Sequence, residues 1–599
     1  MTQPSVPTPR APLPTNWPVL AVSAFIILML AMRAGDIFAG TMPDNDDMMR
    51  LQQVRDLMAG QNWFNVDQTR LITPEGGQMH WSRLPDIFLS TIIFITRPLL
   101  GQANAEALAA TLWPLTLLGV ALASIAMILR RIGAGLAGQI AGLVFFTLSA
   151  AIYNFWPGRI DHHNLVVTLT LVGLAAAMSP RMSLRSGIVA AICIGAMLSV
   201  AIESLPYAGG LILTFGLYWI VRGHQEASRL VVFGRTLSGM AALFYLLDAP
   251  GLGMRRAVCD AYGSSHFAGL VGGGLVLAGL GSFGGGLETW WQRLVAGALS
   301  GLAILGLIVL VNPACLGDPY ANVSEQVRLA WLSAVGEART LPRVWADEPA
   351  RVVWQFGFIL AALGGLVVML VQAPQGGRMA RTALAIMMVL SGLATIWQIR
   401  GVTFSHVFAA LVAGWVVGVL FDRWRARRGV GPVLALAAGA LLVSPTSWKS
   451  LSGQFERAEP QATDGRGYGE VCRDPAAYVA LDSAPRKAIF SPIDLGTSIL
   501  LRTPHSIFAA PYHRNVQGID LVTDVFMGPT NTARAKMLAM GADHMVYCRG
   551  LVETTRYGDL RPDGFAAALN RDEIPDWLEP VDGLSETDGT VRLYRIKSD

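Results

Sequence analysis

Apolar residues in this chain gather into runs of 16 to 23 with few charges inside them, at 18–35, 107–129, 134–154, 164–179, 186–204, 206–221, 230–248, 266–283, 292–311, 352–372, 382–398, 404–421 and 430–445. A helix of about 20 apolar residues crosses the hydrocarbon core of a bilayer, so the pattern predicts about 13 transmembrane helices. The basic residues between the runs set the orientation. Arg130 with Arg131, Arg181 with Arg185, Arg222 to Arg235, Arg378 with Arg381, and Arg423 through Arg428 all fall on one side, which is therefore cytoplasmic. The N-terminus lies on that side and the C-terminus on the other.

One apolar run breaks the count. Residues 86–101 come close to spanning, yet counting them would place Arg130 and Arg131 outside and invert every later loop, so they read as an interfacial or re-entrant part of the first external loop. Arg255 and Arg256 also depart from the rule by falling on the external side, where they can face phosphate. The external face receives the loop 40–106, the turn 155–163, the loop 249–265, the long loop 312–351, the turn 399–403 and everything after about 447.

After 447 the periodicity changes. Strand-like runs at Ala488–Phe490, Ser506–Ala510, Met545–Cys548 and Val591–Ile596 alternate with helix-like ones at 531–541 and 563–570, predicting an α/β soluble domain. The division is then a polar, Pro-rich cytoplasmic tail at 1–17, a transmembrane domain at 18–446 and an external, periplasmic domain at 447–599. The run at 18–35 has no small-residue cleavage signature and reads as a retained span.

Composition agrees with this class. The 599 residues are 53% hydrophobic and only 15% charged, well under the usual quarter. The net charge of +4 gives no reason to expect nucleic acid as a partner; membrane lipid is the partner the pattern implies. Of five cysteines, Cys193 sits in a span and Cys259, Cys315, Cys472 and Cys548 are external, where two disulfides can form in any of three connectivities.

Charge in so apolar a chain is informative where it clusters. Asp44, Asp46 and Asp47 crowd the mouth of the first span, Asp161 and His163 lie two apart in an external turn, and Val323-Ser-Glu325 lies in the long loop. Carboxylates with one imidazole suit a hard or borderline divalent ion such as Mn²⁺ or Mg²⁺. Singly, each acid also reads as a helix cap or a solvated loop charge; their shared side favours a site.

Asn45-Asp46 with Arg55-Asp56 nine and ten residues after Asp46, then Gly158-x-x-Asp161-x-His163, then Val323-Ser-Glu325, resembles the catalytic subunit of oligosaccharyltransferase in its single-subunit bacterial and archaeal forms, within the GT-C superfamily of membrane glycosyltransferases. The resemblance implies that Asp46, Asp161 and His163 bind the metal, that Asp46 and Glu325 serve catalysis with Glu325 orienting the acceptor, and that Arg400 and His513 contact the donor's phosphate. The family's Trp-Trp-Asp motif, which holds the acceptor hydroxyl, corresponds to Ser491-Pro492-Ile493-Asp494-Leu495-Gly496. Both tryptophans are missing, leaving Asp494 as the candidate acceptor-binding residue.

The expected activity is transfer of a sugar or oligosaccharide from a polyprenyl-(pyro)phosphate to a glycan, lipid or protein acceptor. Two alternatives stand beside it: a GT-C transferase using a polyprenyl-monophosphate monosaccharide, and a transporter of lipid-linked sugars. Transporters place ionisable groups and broken helices at mid-membrane. Here the charged motifs sit at one face.

Overall fold

The computed structural model describes residues 16–73, 76–179, 183–248, 258–317, 323–372, 377–455, 471–482, 485–581 and 591–598. Arg181, Arg255 and Arg256 lie outside the described residues. Among the described residues nine helices are long and apolar enough to cross a membrane, and a pair bent by 62°, Val430–Leu442 with Pro445–Phe455, would make a tenth. That is fewer than the thirteen expected. The shortfall falls on three consecutive runs, which fold as the shorter apolar helices Leu136–Thr147, His163–Ala177 and Leu184–Val200.

The reason for the miscount is visible at 134–154. The helix stops at Thr147 and the chain continues as a 3₁₀ turn, Ala150–Phe155, whose Ala151 and Phe155 are buried in the interior. An apolar run marks burial; it does not require that the whole run be one helix. The short helix Leu136–Thr147 lies against Val402–Ala426 at very close range: a Cβ on Gly138 would come within 2.7 Å of the Gly414 carbonyl oxygen. Small residues permit this approach where lipid supplies no hydrophobic drive between helices.

Residues 86–101 are helical and continuous with the following span in one 48-residue stretch, Leu84–Arg131, interrupted at Gly101, whose φ of 76° lies in the left-handed region. Glycine takes that conformation without a Cβ penalty. The segment ahead of the break turns Phe94 and Leu99 outward, the latter 87% exposed.

The C-terminal region carries a five-stranded sheet in the order β2-β1-β3-β5-β4, with β1 Ala488–Phe490, β2 Ser506–Ile507, β3 His544–Cys548, β4 Leu578–Pro580 and β5 Val591–Ile596. β1 pairs in parallel with β2 and β3, while β5 runs antiparallel to β3 and β4. All four predicted strands are present and β4 is additional. The predicted helices appear as Thr530–Ala539 and Phe565–Asn570. Disulfides join Cys259 to Cys315 and Cys472 to Cys548, leaving Cys193 free and buried.

The loop between the first two long apolar helices welds the two regions together. Ile72 donates its N–H to the Ile507 carbonyl at 2.7 Å and Ile507 donates to the Arg70 carbonyl at 2.9 Å, so Leu71 covers the open β2 edge of the sheet. Arg70 then donates to the carbonyls of Leu500 (2.5 Å) and Thr503 (2.7 Å), and Arg55 to that of Leu501 (2.7 Å). These carbonyls end the helix Gly496–Arg502, where the dipole favours cations.

Candidate functional site

The helix Asn45–Met58 begins on Asp44, whose carboxylate accepts the N–H groups of Asp46 (2.9 Å) and Asp47 (3.3 Å). Asp44 is thus an N-cap. Successive helical residues point about 100° apart, and the next two acids diverge accordingly. Asp47 is buried and accepts from the backbone N–H of Ile160 (2.7 Å) and Asp161 (3.0 Å) and from Arg159 (2.8 Å), so it builds the 159–161 turn. Arg159 also pairs with Asp44 and Asp161.

Asp46 stands in the field of Asp44, Glu337 and Asp161. Burial first, then those three negative charges, hold its carboxyl well above the usual carboxylate range, with His163 opposing. Asp161 behaves in the opposite way. Burial works to raise its carboxyl, but Arg159, His163 and His162 outweigh it and hold the group below the usual range. Its carboxylate accepts the His163 N–H at 3.0 Å, which orients the start of the helix His163–Ala177.

Two acids outside the sequence motifs complete the cluster. Glu203 accepts from His163 Nδ1 at 2.8 Å and from Arg400 at 2.9 Å, and lies 3.6 Å from His162 Nε2. Glu337 lies 3.3 Å from the Arg400 guanidinium, and its backbone carbonyl accepts the Arg400 N–H at 3.0 Å. The continuous path is Asp161, His163, Glu203, Arg400, Glu337, with Asp46 facing both ends. A sequence signal existed for each: Glu203 is the one acid in the apolar runs 186–204 and 206–221 and lies at the junction between them, and Val335-Gly-Glu337 repeats the Val-x-Glu spacing of Val323-Ser-Glu325.

The other candidates fall elsewhere. Glu325 is exposed at the start of the short helix Glu325–Ala330, whose Val327 and Ala330 pack into the core beside the C-terminal sheet with Phe526; Ser324 donates to Asp520 there at 2.6 Å. The long loop reaches the cluster through Glu337 instead. His513 pairs with Asp260 at 2.8 Å, beside Arg514. Asp494 heads the helix Gly496–Arg502, whose Thr497 donates to the Asn45 side chain at 2.8 Å, next to Asp46. Glu553 accepts the N–H groups of Ile493 (2.8 Å) and Asp494 (2.9 Å) and so sets that turn.

The donor chemistry fits a divalent ion. His162, His163 and Glu203 each offer a ligand atom within 4.8 Å of the others, and the charge on Asp46 is felt against Asp161, Glu337 and His163. Of the expected ligands Asp46, Asp161 and His163, His163 belongs to that group, and Asp161 already spends part of its charge on Arg159. Imidazole with carboxylates suits Mn²⁺, Mg²⁺ or Zn²⁺.

The same arrangement of helices and sheet occurs in solved structures. The archaeal oligosaccharyltransferase AglB from Archaeoglobus fulgidus, in complex with an inhibitory peptide and a dolichol-phosphate, superposes with a TM-score of 0.67 over 97% of this chain and 74% of that one, at 12% identity. The fold is the oligosaccharyltransferase fold. The same enzyme tethered to an acceptor peptide containing the NVT sequon gives 0.66 over 98% and 74% at 12% identity, and its complex with Zn and sulfate gives 0.60 over 88% and 68% at 13%. No protein-family description and no curated protein sequence matches the chain. The expected order, a set of long apolar helices followed by a small sheet, is the observed one, with fewer long helices than the thirteen expected. At this identity the likeness carries the fold, and the oligosaccharyltransferase fold leaves the activity to be argued from the side chains.

Proposed function

We propose that this chain is a membrane glycosyltransferase that moves a sugar or oligosaccharide from a polyprenyl-(pyro)phosphate donor to an acceptor at the external face, with a divalent ion at the cluster. The observation that carries it is the meeting of Asp46, Asp161, His163, Glu203, Glu337 and Arg400, drawn from five separate stretches of chain, within the oligosaccharyltransferase fold. A divalent ion bound there would supply positive charge against a departing phosphate.

The chain's own groups do the rest. Arg400 is the cation placed to meet the donor's phosphate; its hold on Glu203 and Glu337 keeps the guanidinium at the cluster before the donor arrives. Glu337, half exposed beside Arg400, and Asp46 are the carboxylates this reading assigns to the acceptor nucleophile. Asp494, with its turn fixed by Glu553, is the residue this reading assigns to the acceptor. Because Ser491 and Pro492 stand where the family has the two tryptophans that help recognise the Ser or Thr of a peptide sequon, the acceptor need not carry that sequon and can be a glycan, a lipid or another protein site. The inner (plasma) membrane, with the C-terminal domain periplasmic, is the location consistent with the basic loops.

The test is transfer from a fluorescent lipid-linked sugar by the Asp161→Ala protein. It should reach the membrane and lose transfer; full activity would overturn the assignment. Mass spectrometry of the co-purifying lipid separates a pyrophosphate donor from a monophosphate one.

A further inference from the structure

His80, Asp260 and His513 come from three distant stretches: the first external loop, the segment ahead of the helix Ser264–Phe283, and the turn after β2. One donor atom of each lies within 4.8 Å of the other two. His513 Nε2 stands 2.8 Å from Asp260 Oδ2, and the two imidazole rings are 4.6 Å apart. Nδ1 of His80 is buried with no hydrogen-bond partner among the described residues. Arg514 grips the carboxylate from its other side, Nε on Oδ2 at 2.7 Å and Nη2 on Oδ1 at 2.8 Å.

A buried ring nitrogen without a partner costs free energy, and the His80 ring that carries it lies beside a second imidazole and a carboxylate. An electron-pair acceptor at that point satisfies it. We propose that His80, Asp260 and His513 form a second divalent-metal site, of the zinc type, that pins the C-terminal domain to the loops of the membrane domain. Two imidazoles and a carboxylate are a donor set that zinc accepts, with Zn–N near ~2.0–2.1 Å and a fourth position left open. Arg514 then takes the part of an outer partner that orients the ligating carboxylate. The Cys259–Cys315 disulfide, adjacent to Asp260, ties down the backbone of that ligand.

The second site shares no residue with the cluster around Asp46, and the proposal stands whether or not the chain is a transferase. It does flank the cluster. Trp81, next to His80, packs edge-on against Tyr512 at 5.3 Å and lies 6.1 Å from the His162 ring; Tyr512, next to His513, donates to the Asn45 carbonyl at 3.1 Å. A metal held by His80 and His513 therefore steadies two rings that wall the first cluster, without touching a reacting group.

The experiment uses the full-length protein in detergent, stripped with EDTA, equilibrated with Zn²⁺, gel-filtered and assayed for zinc by mass spectrometry. The background is His163→Ala, which disables the His162, His163 and Glu203 group as a competing zinc site. The expected result is one zinc per chain in that background, with X-ray absorption showing two imidazole nitrogens. Adding His80→Ala or His513→Gln should weaken zinc binding at least ~10-fold with an unchanged elution profile. Should either variant misfold, the absorption spectrum of the His163→Ala protein alone decides. No zinc in that protein, a shell lacking two imidazoles, or zinc retained after both further substitutions would overturn the proposal.

Discussion

Two loops offer carboxylates to the same cluster and do so by different rules. In the first, Asp44, Asp46 and Asp47 are nearly consecutive at one helix start, and helical rotation separates their roles, so that Asp44 caps the helix, Asp46 joins the cluster and Asp47 supports the 159–161 turn. In the long loop, Glu325 and Glu337 lie twelve residues apart on unlike backbone, and pairing of the Glu337 carbonyl with Arg400 decides which arrives. Local geometry is sufficient in the first case. In the second a contact 63 residues away in sequence makes the selection.

Asp47→Ala puts this contrast under the greatest stress. It strips a buried carboxylate from two backbone donors and Arg159, and loss of one partner of a buried pair costs about 3–5 kcal/mol; a large fall in thermal midpoint in detergent is expected. A midpoint like the parent's would mean Asp47 does not build the turn. Next come Glu337→Gln and Glu325→Gln. Removing a preorganised polar group from a reacting centre costs on the order of 10²-fold in kcat, so Glu337→Gln should lose about that much while Glu325→Gln stays near the parent. The reverse order would restore the Val-Ser-Glu motif as the catalytic one.

Glu553, outside both loops, serves as a reference for buried acids. Burial first, then Asp494, push its carboxyl up to about 8. A group raised on folding contributes stability that is complete below its unfolded value and is lost as pH rises through the folded one. Stability should therefore fall between about pH 4.5 and 8, by at most ~1.4 kcal/mol per pH unit for one proton, and Glu553→Gln should flatten that slope. Thermal melts across this window check the sign; a stability that rises with pH would contradict it. The smallest effect is expected of Asp44→Ala, about 1 kcal/mol for a lost N-cap, with most transfer retained.

Much of the molecule was legible in order and sidedness. Apolar runs and arginine loops place Asp46, Asp161 and His163 at one face because the bilayer penalises charge and unpaired backbone along its whole depth. Strand signals in the last third were equally direct. Helix lengths were not, since the apolar run at 134–154 stays buried through a 3₁₀ turn that hydropathy cannot distinguish from a span. Glu203 was hidden for a related reason: a lone acid at a helix end reads as a cap until His163 and Arg400 are seen on it.

The order of residues is enough to mark the apolar helices, the small sheet that follows them and the stretches where charge collects, because those follow from transfer free energies summed along the chain. It is not enough to say which carboxylate of the long loop meets Arg400, that Glu203 joins His163, or that His513 turns to Asp260. Such choices rest on single contacts between residues far apart in sequence, and only the packed fold brings their partners within hydrogen-bonding reach.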